Sequence, residues 1–430
     1  MKLIKAGTQD SWLELTRRPV AEDTNVAGTV AAILDRVKRE GDAAVRDYSL
    51  RFDGAAPESL RISEEERDAR AALTSDALVR ALTQAISTIT SFHRSQCMKE
   101  QPVETVPGVV CSRRSVPIER VGIYIPNGLA PLPSTLIMLA VPALVAGCKE
   151  IVLATPGGKE GVVDPAIAQC AKLLGINEIY LMGGAQAIAA LAFGTEIVKP
   201  VKKICGPGNR YVTEAKLQLA ATGVVAIDMP AGPSEVLVIA DEGADPRFVA
   251  ADLLAQAEHG PDSQVVLVAC EERVIELVLT EVKRQCTLLP REKTARSALE
   301  KSFALLVDSL DDALAFSNLY APEHLILSVK DPERLAVKVV NAGSVFLGYW
   351  AAEALGDYAS GTNHVLPTNA AAYAYSGVSV DSFVKKITFQ SVSREGLCAL
   401  AETVTTMARA EGLEAHAQAV VVRQEAAYAG

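Results

Sequence analysis

The sequence predicts an α/β protein: two Rossmann-like parallel-sheet domains that read as a duplication, with small helical domains at the N- and C-termini. Three observations predict this. From Val121 onward, short β-rich runs alternate with helical segments at the spacing of βαβ units, which builds a mostly parallel sheet covered on both faces. The alternation then repeats from Glu235, giving a second α/β half. Outside these halves strand signals are weak: residues 1 to about 120 read as mainly helical and polar, and they fade again after Gly377.

Taken in order, residues 1–24 form a helical N-terminal segment. The capping box Ser63-Glu64-Glu65-Glu66 then opens a long helix toward Phe92, with His93 at its end as a surface or semi-buried residue beside Arg94. VGIYIP and EIVLAT are strands, separated by a proline-containing loop and an apolar helix within the uncharged stretch Leu129 to Gly147. Pro131, Pro133 and Pro142 interrupt that stretch, so it reads as a buried helix rather than a membrane span. An amphipathic segment ending near Gly175 follows, then the strand EIYLMGG, the small-residue helix AQAIAALAFG, the strand VKKICGPG and the helix NRYVTEAKLQLAA. The second series runs EVLVIADE, a helix from Pro246 to His259, QVVLVAC, another helix, FALLVD, HLILSV and SVFLG. SVDSFVKKIT, REGLCALAETVTTMARAEG and LEAHAQAVVVRQEA read as helices of a tail. The expected domains are therefore 1–24, a discontinuous α/β domain from 25–120 and 236–378, a second α/β domain at 121–235, and a helical tail at 379–430. That tail is too small a core to stand alone, so it docks on its own body or on a partner subunit's.

Composition narrows the function. Of 430 residues, 49% are hydrophobic and 22% charged, an ordinary globular balance. The formal net charge of −10 argues against non-specific nucleic-acid binding, which needs a basic footprint. The eight cysteines are scattered without a C-x-x-C pair, which reads as reduced thiols in a cytoplasmic protein and disfavours a cysteine-based zinc cage. The opening MKLIKAGTQDSW lacks the apolar core of a signal peptide. No membrane partner is expected.

Histidine is the sharper clue, because four of only five lie in dense polar motifs: QAEHGPDSQ, YAPEHLIL, GDYASGTNHVLP and EGLEAHAQA. Asp245-Pro246 starts a helix and Gly260-Pro261 stops it, so Gln256 and His259 share a face in its last turn, at the negative end of the helix dipole. An imidazole and an amide oxygen there make half of a divalent-metal site, or an exposed helix end. Asp357 lies in a glycine-rich turn, as a cap or a metal ligand, and His416 on the tail, as a solvent-facing or docking residue. Glu323 and His324 stand at a strand entrance, where extended neighbours point to opposite faces; they either act separately, one as a base on a hydroxyl and one on a water, or are an acid-histidine pair met by chance. Ser234 and Glu235 sit in a proline-glycine loop that is either a turn or a binding loop. The dinucleotide fingerprint G-x-G-x-x-G is absent. Gly206-Pro207-Gly208, between a strand and a helix, suits an anion at a helix N-terminus as well as it suits a plain turn.

Taken together, IPNGLAPLPST, GGAQAIAALAFGTE, GPGNRYVTEAK, IDMPAGPSEVLVIAD, DLLAQAEHGPDSQ, YAPEHLIL, GDYASGTNHVLPT and EGLEAHAQAV resemble the histidinol dehydrogenase family from about residue 120 to 420. The resemblance implies one Zn2+ per subunit held by Gln256, His259, Asp357 and His416, the last from the other subunit of a homodimer with swapped tails. It implies substrate contacts at Ser234, Gln256, His259, His324, Asp357, Glu411 and His416, and NAD contacts at Tyr124, Gln186 and Asn209 in domain 121–235. It implies a four-electron oxidation of L-histidinol to L-histidine through bound L-histidinaldehyde, at the end of histidine biosynthesis. His324 takes the hydroxyl proton and Glu323 activates the water; no cysteine is needed, Cys205 included. Asn127 departs from the family's glycine, which bears on cofactor affinity. The rivals are a paralogous zinc/NAD dehydrogenase acting on another small polar alcohol, a non-catalytic protein that kept the scaffold, and an aldehyde dehydrogenase with a cysteine nucleophile.

Overall fold

A strand, not a helix, opens the segment expected to be helical over 1–24. In the computed structural model, which describes residues 1–5, 9–18, 25–54, 57, 59–127, 131–229 and 232–429, β1 (Lys2–Lys5) precedes α1 (Gln9–Leu15). β1 pairs in parallel with Phe303–Leu306 far along the chain, and its two flanking lysines suit a sheet edge. Next, α2 (Val26–Asp53) buries Val30, Ile33, Leu34 and Val37 at helical spacing. Gly41 breaks α2 with φ 55°, and a Cβ there would lie 2.2 Å from the Glu196 carboxylate, which accepts the Asp42 N–H at 2.7 Å.

The capping box is present at the start of α3 (Glu64–Ala71): Ser63 Oγ accepts the Glu66 N–H at 3.1 Å and Glu66 accepts the Ser63 N–H at 2.7 Å. The single long helix toward Phe92 is instead two, because Ser75 Oγ accepts the Leu78 N–H at 3.3 Å and restarts the chain as α4 (Asp76–Arg94). His93 is fully buried, not at the surface. Its Nδ1–H donates to the Ile89 carbonyl at 2.8 Å, and burial lowers its pKa.

β2 (Val103–Val106) and β3 (Val109–Pro117) are strands in a stretch read as helical. Then follow β4 (Arg120–Tyr124), α5 (Pro133–Ala146), β5 (Glu150–Thr155), α6 (Pro165–Leu173), β6 (Glu178–Leu181), α7 (Gly184–Phe193), β7 (Lys203–Cys205), α8 (Arg210–Ala221) and β8 (Ala226–Ile227). These strands make a parallel five-stranded sheet, ordered β6-β5-β4-β7-β8. α5 is buried from Thr135 to Ala143, and no described helix is long and apolar enough to cross a membrane. Leu129 and Ala130 of that apolar stretch lie outside the described residues.

The second series gives β9 (Glu235–Ala240), α9 (Pro246–Ala257), β10 (Gln264–Ala269), α10 (Glu272–Cys286), α11 (Glu292–Glu300), β11 (Phe303–Leu306), α12 (Leu310–Tyr320), β12 (His324–Ser328), α13 (Pro332–Ala336), β13 (Ser344–Leu347) and α14 (Glu353–Tyr358). Its parallel sheet is ordered β1-β11-β10-β9-β12-β13. The expected grouping of 25–120 with 236–378 needs correction. Val30, Ile33 and Val37 of α2 share a core with Tyr124, Val152, Ile188 and Leu191, and α3 and α4 lie against α6 and α5. The alanine-rich α7 leaves room for α2 to approach closely, so residues 26–94 complete the five-stranded half.

A separate compact unit consists of Ser95–Ile118 and Val384–Gly430. In it β14 (Val384–Val392) runs antiparallel to β3, from Val384 opposite Pro117 to Val392 opposite Val109, and is followed by α15 (Arg394–Ala410) and α16 (Glu414–Ala429). The tail is thus not wholly helical. VKKITFQSV is rich in β-branched residues, and β3 supplies the ladder that makes it a strand.

Candidate active site

Two backbone groups of one residue organise the site. Glu235 is the first residue of β9, and β12 pairs with β9 so that His324 stands opposite Val236. The Glu235 N–H donates to Glu323 Oε2 at 2.8 Å. The Glu235 carbonyl accepts from Gln256 Nε2 at 3.0 Å and lies 3.1 Å from His324 Nδ1. Gln256 Nε2 is itself 2.9 Å from His324 Nδ1 and 3.5 Å from Glu323 Oε2. Asp245, capping α9 through the Arg247 N–H with Pro246 behind it, sets the helix whose last full turn delivers Gln256.

Glu323 and His324 do not point to opposite faces. Glu323 sits in a bend before β12 rather than in the strand, and the Glu235 N–H draws its carboxylate to within 3.6 Å of His324 Nδ1. The alternation of an extended strand therefore does not govern this pair. Beneath them, the Glu235 side chain is held by a buried bidentate pair with Arg18, at 2.9 Å on each oxygen. Arg18 also stacks on the Tyr320 ring, 3.6 Å from its centroid.

α14 supplies the opposite wall. Glu353 and Asp357 are four residues apart on one helical face. Asp357 Oδ1 lies 3.5 Å from His324 Nε2, and Glu353 Oε1 lies 3.9 Å from His324 Nδ1. One ligand atom from each of His324, Glu353 and Asp357 falls within 4.8 Å of the others. His324 Nε2 and both Glu353 oxygens are buried without a hydrogen-bond partner.

The electrostatics follow from this crowding. Burial disfavours the His324 imidazolium, but the Glu353 and Glu323 charges and the nearby Asp357 carboxylate outweigh it and raise the pKa well above the usual imidazole range. Burial pushes Glu353 up to about 8. Asp357 is pulled below the ordinary range despite its burial, chiefly by the adjacent His324 imidazole. A buried set of acidic groups with open lone pairs fits a divalent cation, which would supply the compensating charge. Gln256 fits as well: its Nε2 is committed to the Glu235 carbonyl, which leaves the amide oxygen as its ligating end.

The remaining expected site residues are distributed as follows. His259 lies just past α9, exposed, near enough for its charge to act on Asp357. Ser234 is half-buried ahead of β9, and its carbonyl accepts the Gln264 N–H at 3.1 Å. Glu411 ends α15 and His416 lies in the first turn of α16, both exposed within the unit of 95–118 and 384–430. His364 joins α14 to α5: its Nδ1–H donates to the Asp357 carbonyl at 2.8 Å and its Nε2 lies 3.2 Å from Thr135 Oγ1.

A second cluster lies at the C-terminal ends of the five-stranded sheet, where open α/β sheets bind ligands. Tyr124 ends β4, and its buried hydroxyl accepts the Gly184 N–H at the start of α7 at 3.0 Å; burial pushes its pKa to about 12. Gln186, in the first turn of α7, is 1% exposed with both amide atoms unpartnered. A buried amide with nothing to bond is a costly feature unless a ligand completes it. Asn209 caps α8, accepting from the Tyr211 and Val212 N–H groups at 3.0 and 3.2 Å. Asn127 Nδ2 reaches the Pro156 carbonyl at 3.4 Å. Cys205 is fully buried at the end of β7, and burial pushes its thiol to about 12, far from a nucleophilic thiolate.

The sequence profile of histidinol dehydrogenase matches residues 16–424. The chain belongs to the histidinol dehydrogenase family. It is 52% identical over 409 residues to the histidinol dehydrogenase of Xanthomonas euvesicatoria pv. vesicatoria, covering 95% of each chain. It is 51% identical to that of Bacteroides thetaiotaomicron, covering 98% of this chain and 99% of the relative. The crystal structure of histidinol dehydrogenase from Elizabethkingia anophelis superposes with a TM-score of 0.97 at 50% identity, over 99% of this chain and 98% of that one. Of the residues singled out in the sequence, Gln256, Glu323, His324 and Asp357 converge here with His259 near them. Glu353 and Arg18 join them without having been singled out in the sequence, and Glu235, read there as part of a turn or a binding loop, is the first residue of β9. Glu353 carries a legible signal, the four-residue spacing to Asp357; Arg18 carries none.

Proposed function

We propose that the chain carries out its family's reaction, the NAD-dependent four-electron oxidation of L-histidinol to L-histidine through bound L-histidinaldehyde, in cytoplasmic histidine biosynthesis. The observation that carries this is the buried Glu323–His324 pair beside Gln256 and Asp357, with His324 Nε2 unpartnered.

In its neutral form His324 directs Nδ1–H to the Glu235 carbonyl 3.1 Å away, which leaves the Nε2 lone pair as the general base. It takes the substrate's hydroxyl proton while hydride leaves the same carbon for NAD, which gives the aldehyde. Protonated His324 returns its proton to the carbonyl oxygen while Glu323 takes a proton from the water that adds to the aldehyde carbon. The hydrated aldehyde then gives a second hydride to a second NAD and its proton to His324, leaving the carboxylic acid. Holding the aldehyde in place prevents its loss to solvent. Gln256, His259 and Asp357, with His416 supplied by the second subunit of a homodimer, would hold one zinc per chain. Held there, zinc would supply a Lewis-acid centre that orients the substrate. Ser234 and Glu411 complete the substrate contacts, and Tyr124, Gln186 and Asn209 contact NAD. Exposed apolar residues on the tail unit, among them Phe389, Met407 and Val422, support a subunit contact there.

The test is stoichiometric. Purified protein given limiting L-histidinol should form two NADH per substrate consumed; one NADH with accumulating aldehyde would overturn the reading.

A further inference from the structure

The NAD-contact cluster holds a buried ion pair that the reaction above does not use. Lys216 on α8 and Asp228 after β8 have side chains only 4% and 2% exposed, and they pair directly. Both partners also grip one residue. Asp228 Oδ2 accepts the Gly206 N–H at 2.8 Å, and Lys216 Nζ donates to the Gly206 carbonyl at 2.9 Å. Gly206 begins the glycine-proline turn between β7 and α8 and has φ 134°, a conformation that needs glycine. A Cβ on it would sit 2.0 Å from the Tyr124 carbonyl oxygen. Gly206 is therefore pressed against the backbone of Tyr124, and the hydroxyl of Tyr124 meets the start of α7 beside the unpartnered amide of Gln186.

Burying a lysine and an aspartate is expensive, and the pair adds little net stability over an apolar replacement. What such a pair provides is fixed geometry: one bond from each partner holds the N–H and the carbonyl of Gly206, in two adjacent peptide units. We propose that Lys216 and Asp228 are positioning residues for the dinucleotide. They clamp Gly206 so that the 206–209 turn, Tyr124 and Gln186 keep one arrangement before NAD arrives. This rests on Tyr124, Gln186 and Asn209 being the NAD contacts. Pre-organising a turn lowers the ordering cost of binding, so the pair acts on dinucleotide affinity and not on the chemistry at His324.

The experiment is an NADH titration of the zinc-loaded enzyme by fluorescence, with steady-state kinetics and thermal melting on the same samples. Lys216→Met and Asp228→Asn should each raise the NADH Kd and the KM for NAD about tenfold or more. The KM for L-histidinol should stay within about twofold, since the substrate site shares none of these bonds. Asp228→Glu, which keeps the charge pair, should recover part of the loss; Asp228→Asn, nearly isosteric, answers if Lys216→Met does not fold. Unchanged NADH affinity in a folded variant overturns the proposal, as does equal loss for both substrates. Gln186→Ala separates the two readings. If it leaves NADH affinity unchanged, the assignment of the NAD site fails; if it weakens NADH while Lys216→Met does not, only the clamp fails.

Discussion

His324 is surrounded by more carboxylate than one imidazole can neutralise, and this sets two expectations. Without metal, both His324 and Glu353 bind protons more tightly folded than unfolded, since the acid's pKa is pushed up to about 8 and the imidazole's is also raised. The native state then holds more protons than the unfolded one, so stability falls as pH rises from about 5 toward 8 and above. Urea denaturation of zinc-stripped protein should show that decline, and Glu353→Gln should flatten it. A slope of the opposite sign would mean that His324 is neutral in the folded state. The second expectation concerns Glu323, whose carboxylate is fixed by one backbone N–H. Glu323→Gln keeps the shape but cannot take a proton from water. Oxidation of added L-histidinaldehyde should slow by roughly 10²–10⁴-fold, while the first hydride transfer from histidinol stays near wild type. Equal loss in both half-reactions, read in single-turnover kinetics, would refute the division of labour.

At the scale of elements, the site is built from ends: the first residues of β9 and β12, the last turn of α9 and one face of α14. Element ends leave backbone groups unpaired, and here the Glu235 N–H and carbonyl become the scaffold for Glu323, Gln256 and His324. On the proposed reading α16 bears on the chemistry through His416, which is exposed in its first turn. His416→Ala should therefore leave the melting temperature of metal-free protein unchanged. After dialysis it should retain far less zinc than wild type, by metal analysis. Full zinc retention would remove His416 from the ligand set.

Across the whole molecule, the two sheets use opposite edges. The five-stranded sheet gathers Tyr124 and the 206–209 turn at strand C-termini, as open α/β sheets do; the six-stranded sheet gathers Glu235 and His324 at strand N-termini. If the tail serves the other subunit, two inactive variants should complement each other. Mixed His416→Ala and His324→Ala subunits place one intact site in each heterodimer. Refolding them together should restore about a quarter of wild-type activity, since about half the dimers are mixed. No recovery would mean that each tail serves its own chain.

The sequence by itself made most strands of both α/β halves legible, because continuous apolar runs and capping residues act locally; it left β8 and the helices α12 to α14 unread. Asp245-Pro246 and Ser63 start their helices where the residues alone require it. It also named Gln256, Glu323, His324 and Asp357, through motifs whose order spans most of the chain. Only the tertiary structure decided the rest. VKKITFQSV is a strand because β3 lies beside it, and β1 is a strand because β11 does. Residues 26–94 belong with the five-stranded sheet because the small side chains of α7 admit α2. Glu323 turns toward His324 because a backbone N–H from another strand draws it there. Arg18 beneath Glu235 and Lys216 beneath Gly206 are set by contacts between segments distant in sequence, whose pairing no local pattern encodes.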